Sequence, residues 1–341
     1  MKIRAVKLAF LAIVFIGGGA SADPPPAFDR AFDLTAFYKG NTHSHSLRSD
    51  GDSPPAVLAQ WYRDRGYAFL AITDHNVVAD PKLRAEVEEA GRFVVVLGEE
   101  VSNAARVGGR DVPVHANAIC SSATVGGRRL DSVSAAVEDS VARILAQPGA
   151  VAQLNHPNFG WALREGDVVR AKGAALLEVW NQHPHVQSGG DATRPSVETM
   201  WDRLLSAGHV FHGVASDDVH DLHRTREELG YEPRPGGKGW VQVASAELTA
   251  PAICDALERG DFYSSTGVRL ARVRVTSSEY SVEAAVESPV AIEFIGSGGR
   301  LLARSTGRSA TYRPLGGEGY VRARITGAGG TRAWTQPVFL R

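Results

Sequence analysis

Cysteine is nearly absent: Cys120 and Cys254 are the only two in 341 residues, and neither lies in a C-x-x-C pair. That excludes a thiolate zinc site and a thioredoxin-like redox motif, and it limits the chain to one internal bridge. Cys120 ends an apparent core strand and Cys254 lies on an apparent helix, so one bridge and two separate buried thiols are both compatible with the pattern. An excess of charge of either sign is lacking too, with 37 Lys and Arg against 38 Asp and Glu and a formal net charge of -1. Sequence-independent duplex binding rests on Lys and Arg neutralising phosphates, so no nucleic-acid partner is expected. Neither a P-loop nor a G-x-S-x-G elbow occurs, which removes the glycine-cradled nucleotide and the activated serine from consideration.

Long apolar runs are confined to the start of the chain. Lys2, Arg4 and Lys7 precede the run Leu8 to Ile16, and small residues follow as far as Ala20-Ser21-Ala22. This is the order of a secretory signal peptide over residues 1–22, so a periplasmic or secreted protein with no transmembrane segment after cleavage is expected. Without those three positive charges the formal charge becomes -4, a mildly acidic mature chain. The Pro-rich stretch that follows predicts an extended lead-in over residues 23–36.

What the chain has in quantity is alternation. From about residue 37 to 265, eight short apolar runs (AFYKG, YAFLAI, RFVVVL, VHANAIC, AVAQL, AALLEVW, HVFHGVA and GWVQVAS) are separated by helical stretches or long loops. Helices are predicted over 53–65, 81–90, 131–147, 195–207 and 251–259, the first with Ser53 as cap and Pro at its start. This is the pattern of β/α units on a largely parallel sheet, and with about seven strands the economical solution is a distorted β/α barrel. An open doubly wound sheet is the alternative. Beyond about Asp261 the helices stop and short alternating segments follow, which predicts a small antiparallel β-sandwich over residues 266–341. It contains no histidine.

His, Asp and Glu recur at the ends of the apolar runs. His43, His45 and Asp50 follow the first, Asp74-His75 the second, Glu100 the third, His156 the fifth, and Asp218 with His220 the seventh. In a parallel barrel those ends share one rim, and imidazole with carboxylate is the donor set for zinc, manganese or iron. His115 is the exception, near the start of its run. Alternation points Glu99 away from Glu100, and the D-x-H register selects Asp218 over Asp217.

The ordered set H-x-H with S-D-G, T-D-H, G-x-E, an isolated His, N-H-P and D-x-H resembles the PHP family, named for polymerase and histidinol phosphatase. The resemblance spans about residues 37–265. It implies a distorted β/α barrel holding two or three divalent metal ions that hydrolyses phosphoesters with a metal-activated hydroxide. Carried over, it places His43, His45, Glu100 and Asp218 at a first metal, with Glu100 bridging to a second at His115 and His156. Asp50, His75 and His220 would hold a third. Glu100, Asp218 and His156 are the expected catalytic residues.

Around these, Asp74 has two readings, a carboxylate partner for an imidazole or a strand-end turn residue, and Asp217 is placed to orient a ligand or bind through water. Arg48, Asn181, His223, Arg224 and Lys238 are candidates for substrate contact, as are His183 and His185 in loops on the same side. His209 and His212 sit at the opposite strand end, where structural roles are expected. A small-molecule or polymer-borne phosphoester is the expected substrate. An amide, ester or carbamate hydrolase on the same scaffold, and an exported metal-containing binding protein, are the alternatives.

Overall fold

The structure is a computed structural model that describes residues 26–341, so the predicted signal peptide over 1–22 lies outside the described residues. The chain runs through β1 (Phe32–Leu34), β2 (Tyr38–Asn41), α1 (Pro55–Asp64), β3 (Phe69–Ile72), α2 (Leu83–Val87) and β4 (Val94–Val107). Next come β5 (Arg110–Ile119), β6 (Arg129–Leu130), α3 (Val133–Leu145), β7 (Val151–Leu154), α4 (Glu165–Val168) and β8 (Leu176–Asn181). α5 (Val197–Ser206), β9 (His212–Ser216), α6 (Arg226–Leu229), β10 (Trp240–Val243), α7 (Ala250–Arg259) and β11 (Phe262–Ser265) complete this part. Each of the five expected helices is present, while α4 and α6 lie outside the expected set. Ser53 does not cap α1: Pro54 is the cap residue, without a side-chain bond, and the Ser53 hydroxyl donates to Asp52 instead. With Pro55 opening the helix there is one fewer free N–H to satisfy.

Hydrogen bonding orders the strands β10-β2-β3-β4-β5-β7-β8-β9. β2, β3 and β4 are parallel, as are β7, β8 and β9, but β5 runs antiparallel to both β4 and β7. The cause is the turn at Gly108 and Gly109, whose φ values of 57° and 80° suit a tight hairpin. The largely parallel expectation therefore misses this long hairpin and also β10, which runs antiparallel to β2.

Period-two alternation decides what faces inward. Phe69, Val96, Ile119, Val151, Leu176, Val214 and Val241 form one buried cluster with Ile253, Ala256 and Leu257 of α7, which plugs one end. Two residues away on four of these strands, after the apolar residue on β7, β8 and β9 and before it on antiparallel β5, the inward row turns polar: Gln153, Glu178, Ser216 and Asn117, all buried. The sheet curls around this interior but does not close by a ladder, since β9 pairs only with β8. Side chains bridge the seam instead. Ser264 of β11 donates to Gly213 O and accepts from Ala215 N, and the Gln336 amide bonds both backbone groups of Gly213. A Cys120–Cys254 disulfide ties the end of β5 to the α7 plug, with Cα atoms 6.4 Å apart.

The remaining strands are β12 (Leu270–Val275), β13 (Tyr280–Ala284), β14 (Val290–Gly296), β15 (Arg300–Gly307), β16 (Ser309–Tyr312), β17 (Tyr320–Thr326), β18 (Arg332–Thr335) and β19 (Val338–Phe339). They form two antiparallel layers, β1-β12-β13-β16 and β15-β14-β17-β18, and the second continues through β11 into the large sheet. Val273, Tyr280, Val282, Ile292, Phe294, Val321 and Ile325 fill the space between. Residues 32–34, expected to be part of an extended lead-in, are a strand, because Phe32 to Leu34 pair antiparallel with Val275 to Val273. Buried Arg322 of β17 fastens this part to α5. Its guanidinium donates to both Asp202 oxygens at 2.8 and 2.7 Å and to Glu198 at 2.9 Å.

Candidate metal centre

All nine predicted ligands converge, most of them just past strand ends, with Glu100 and His115 within the β4–β5 hairpin. Their donor atoms fall into four overlapping groups, each within 4.8 Å: His45–Asp50–His75–His220, His43–His156–Asp218, His43–His45–Glu100 and His75–Glu100–His115. The third expected set is present with His45 added. The second differs, since His75 joins Glu100 and His115, whereas His156 groups with His43 and Asp218.

Glu100 sits at the middle, fully buried, with its two oxygens facing different partners. Oε1 lies 3.3, 3.2 and 3.1 Å from nitrogens of His43, His115 and His156. Oε2 lies 3.0 and 3.4 Å from His75 and His45. Glu99 faces away, as alternation requires, and accepts from the backbone N–H groups of Val125 and Gly126. His115 reaches the rim because β5 is antiparallel: the early part of that strand lies beside the late part of β4, with His115 opposite Ser102. Its exceptional place in the sequence is thereby explained.

Asp218 and His156 stand at left-handed φ values of 50° and 24°, which are costly for side chains with a Cβ. Each is held there, Asp218 N–H by His43 O at 3.1 Å and His156 N–H by a Glu178 carboxylate oxygen at 2.8 Å. Glu178 is the main residue that sequence reasoning missed. Completely buried, it also accepts from His43 Nδ1 at 2.9 Å, from Asn181 Nδ2 at 2.9 Å and from the Ser216 hydroxyl. Its signal was a lone acid at an inward position of the apolar run LLEVWN.

The neighbours of the ligands have other tasks than expected. Asp74 contacts no imidazole; it accepts from Ser46 N, the Ser46 hydroxyl and the Ser49 hydroxyl, and so shapes the loop from His45 to Asp50. Asp217 is similarly committed to loop structure, accepting from Gly237, Lys238 and Gly239 N–H, Tyr62 OH and Asn41 Nδ2. Asn181 is no free substrate contact, because its Nδ2 donates to Glu178 and to Asp218 at 3.0 Å. Arg48 is exposed on a separate surface hollow with Pro54 and Lys82, and exposed Lys238 and His223 do not line the cleft. Their side chains point outward from loops whose backbone N–H groups are bound by Asp217 and Asp52. Arg224 does reach the cleft. His183 and His185 line it too, while His209 and His212 lie at the far strand end.

Electrostatics matches a cation-binding role. Burial opposes charge on Glu100 and Asp218, but the surrounding imidazoles outweigh it and hold both carboxyls well below the usual range. Burial likewise opposes a proton on His43, yet Asp218, Glu100 and Glu178 raise its affinity for one well above the ordinary value. His45 is pushed down to about 4 by burial and by the charge on neighbouring His220. The residues fit divalent metal on one further ground. His43 Nε2 and His115 Nδ1 are buried and, although carboxylate oxygens lie close, neither makes a hydrogen bond. Imidazole and carboxylate lone pairs converging on one place suit a cation.

No family model matches the chain, and no curated protein does. Among solved structures it is similar to a two-domain protein from Bacteroides vulgatus that contains a predicted PHP-like metal-dependent phosphoesterase. Identity is 17%, the TM-score is 0.44, and the match covers 89% of this chain and 93% of that one. It is also similar to a candidate metal-dependent phosphoesterase from Bifidobacterium adolescentis, at 17% identity and TM-score 0.39, over 57% of this chain and 96% of that one.

Proposed function

We propose that the protein is a metal-dependent hydrolase of phosphoesters. The observation that carries this is Glu100, a buried carboxylate whose two oxygens face separate groups of imidazoles at the floor of an open cleft of about 290 Å³. Two or three divalent cations held by these residues would supply the charge to activate water and to bind phosphoryl oxygens. The chain's own residues prepare that site. Glu178 accepts from His43 Nδ1 and leaves Nε2 facing inward, Asn155 donates to Glu100 at 2.9 Å, and Asn181 donates to Asp218. Zinc, manganese and iron all suit this donor set.

Export is part of the same reading, supported by the signal-like segment over 1–22 and by a disulfide of the kind that persists in oxidising compartments. The curled sheet is taken as an incompletely closed barrel and the sandwich as an accessory module. Metal-loaded protein should turn over p-nitrophenyl phosphate or bis-p-nitrophenyl phosphate in preference to p-nitrophenyl esters. His156→Ala and Asp218→Ala should each abolish that turnover with the fold retained. Hydrolysis of carboxylic esters or amides alone would move the assignment to the other electrophile, and ligand binding without turnover would make it a binding protein.

A further inference from the structure

Aromatic rings form an unbroken series through the centre. From Phe159, centroid separations are 5.2 Å to His156, 5.7 Å to His43, 5.2 Å to His45 and 4.1 Å to His220. The series goes on 5.0 Å to His183, 5.3 Å to His185 and 4.8 Å to Tyr231. The four middle members are metal-ligand candidates, whereas Phe159 at one end and His183, His185 and Tyr231 at the other belong to no metal group. All four of these outer rings line the metal cleft. The space beside the metals is therefore walled at both ends by flat faces and edges.

These walls are held in place before any ligand arrives. His183 N–H donates to Asn181 Oδ1 at 2.7 Å, and Asn158 Nδ2, next to Phe159, donates to Gln187 O and Pro195 O. Tyr231 OH donates to Asp221 at 3.2 Å. Arg224, the one guanidinium among the described residues that line the cleft, is already engaged, with Nε 2.9 Å from Asp221 and a terminal N–H on Asp50 O at 2.7 Å. Among the described lining residues outside the metal groups, a second anionic group on a ligand would find no cation that is not already paired with a carboxylate, and it would meet Asp221 itself.

We propose that the cleft between these ring walls is the subsite for the group esterified to phosphate, and that the substrate is a phosphoester of a planar, uncharged alcohol. This rests on the phosphoesterase reading. A flat ring can stack or meet the walls edge-on, and each such contact adds to plain area burial. A puckered ring of similar size offers no comparable face.

The test compares benzyl phosphate with cyclohexylmethyl phosphate and 4-carboxybenzyl phosphate, all esters of primary alcohols, so that leaving-group basicity is nearly constant. With metal-loaded full-length protein, kcat/KM for benzyl phosphate should exceed that for the other two by about tenfold. Tyr231→Leu and Phe159→Leu should each shrink the benzyl over cyclohexylmethyl preference, while Tyr231→Phe keeps it. Metal content and Tm of each variant control for folding. Calorimetry with benzylphosphonate and cyclohexylmethylphosphonate gives the same comparison without turnover. Equal kcat/KM for the two neutral esters, or a preference that survives both leucine variants, overturns the subsite and leaves the phosphoesterase reading standing. No turnover of any phosphoester, with benzylphosphonate still bound selectively, overturns the phosphoesterase reading alone; absence of both overturns both.

Discussion

Glu178→Gln changes one atom of a side chain that touches no cleft solvent, and its consequence can be worked from the hydrogen bonds. Four donors converge on this carboxylate: His43 Nδ1 and the Ser216 hydroxyl on Oε1, His156 N–H and Asn181 Nδ2 on Oε2. An amide accepts at one position and donates at the other. With its nitrogen at the Oε2 position, the amide opposes a backbone N–H that cannot change its role. With the nitrogen at the Oε1 position, Ser216 can rotate, but His43 must accept at Nδ1 and carry its proton on Nε2. That nitrogen lies 3.1 Å from Asp218 and 3.3 Å from Glu100, inside two of the metal groups, and once protonated it has no lone pair for a cation. Either arrangement weakens the site. Losing a partner that fixes a ligand's tautomer costs roughly 10–100-fold in metal affinity, or about 1.4–2.7 kcal/mol. Competition with a chromophoric chelator measures it directly, with urea unfolding of the metal-free protein as the control for folding. Affinity within about twofold of wild type, against the roughly 10–100-fold loss expected, would refute the assignment of Glu178 as the residue that sets the His43 tautomer.

Arg322→Met strands Asp202 and Glu198 without their buried guanidinium and should cost about 3–5 kcal/mol of unfolding free energy in urea, with Asp202→Asn added to the variant recovering part of it. Reduction of the Cys120–Cys254 bridge, which spans a sequence separation of 134, should lower stability by about 4–5 kcal/mol on the chain-entropy account, read from the denaturant midpoint. Burial opposes ionisation of Glu198, but Arg322 and Arg324 outweigh it and its value lies below the usual glutamate range. A group depressed on folding contributes stability that is complete above its unfolded value near 4.3 and fades as pH falls through the folded value. Stability of the wild type should therefore drop below about pH 4 with a steeper slope than that of Arg322→Met, measured by urea titration at each pH.

Much of the site is legible in the sequence because strand alternation is local. The G-x-E register selects Glu100, period two then turns Glu99 the other way, and the D-x-H register selects Asp218 over Asp217. The same logic could have found Glu178, two positions after inward Leu176, had the acid inside an apolar run been taken as inward rather than passed over. What alternation cannot supply is the pairing of distant segments. Arg48 and Lys238 look equivalent to Arg224 as loop cations near ligands, yet only Arg224 reaches the cleft, because Asp221 and Asp50 draw it in.

Taken alone, the sequence determined which side chains could bind metal, their order along the chain, and the β/α pattern that brings most of them to strand ends. Only the tertiary structure decided how they group: His115 arrives through an antiparallel hairpin, His45 joins Asp50, His75 and His220, and Glu100 faces two sets of imidazoles at once. It also decided that the cysteines bridge and that the seam beside β9 is held by Ser264 and Gln336 rather than by a ladder. The physical reason is one of range. Periodicity and turn residues act over a few positions and are written in the chain, whereas strand order, donor convergence and burial come from packing between residues far apart in sequence.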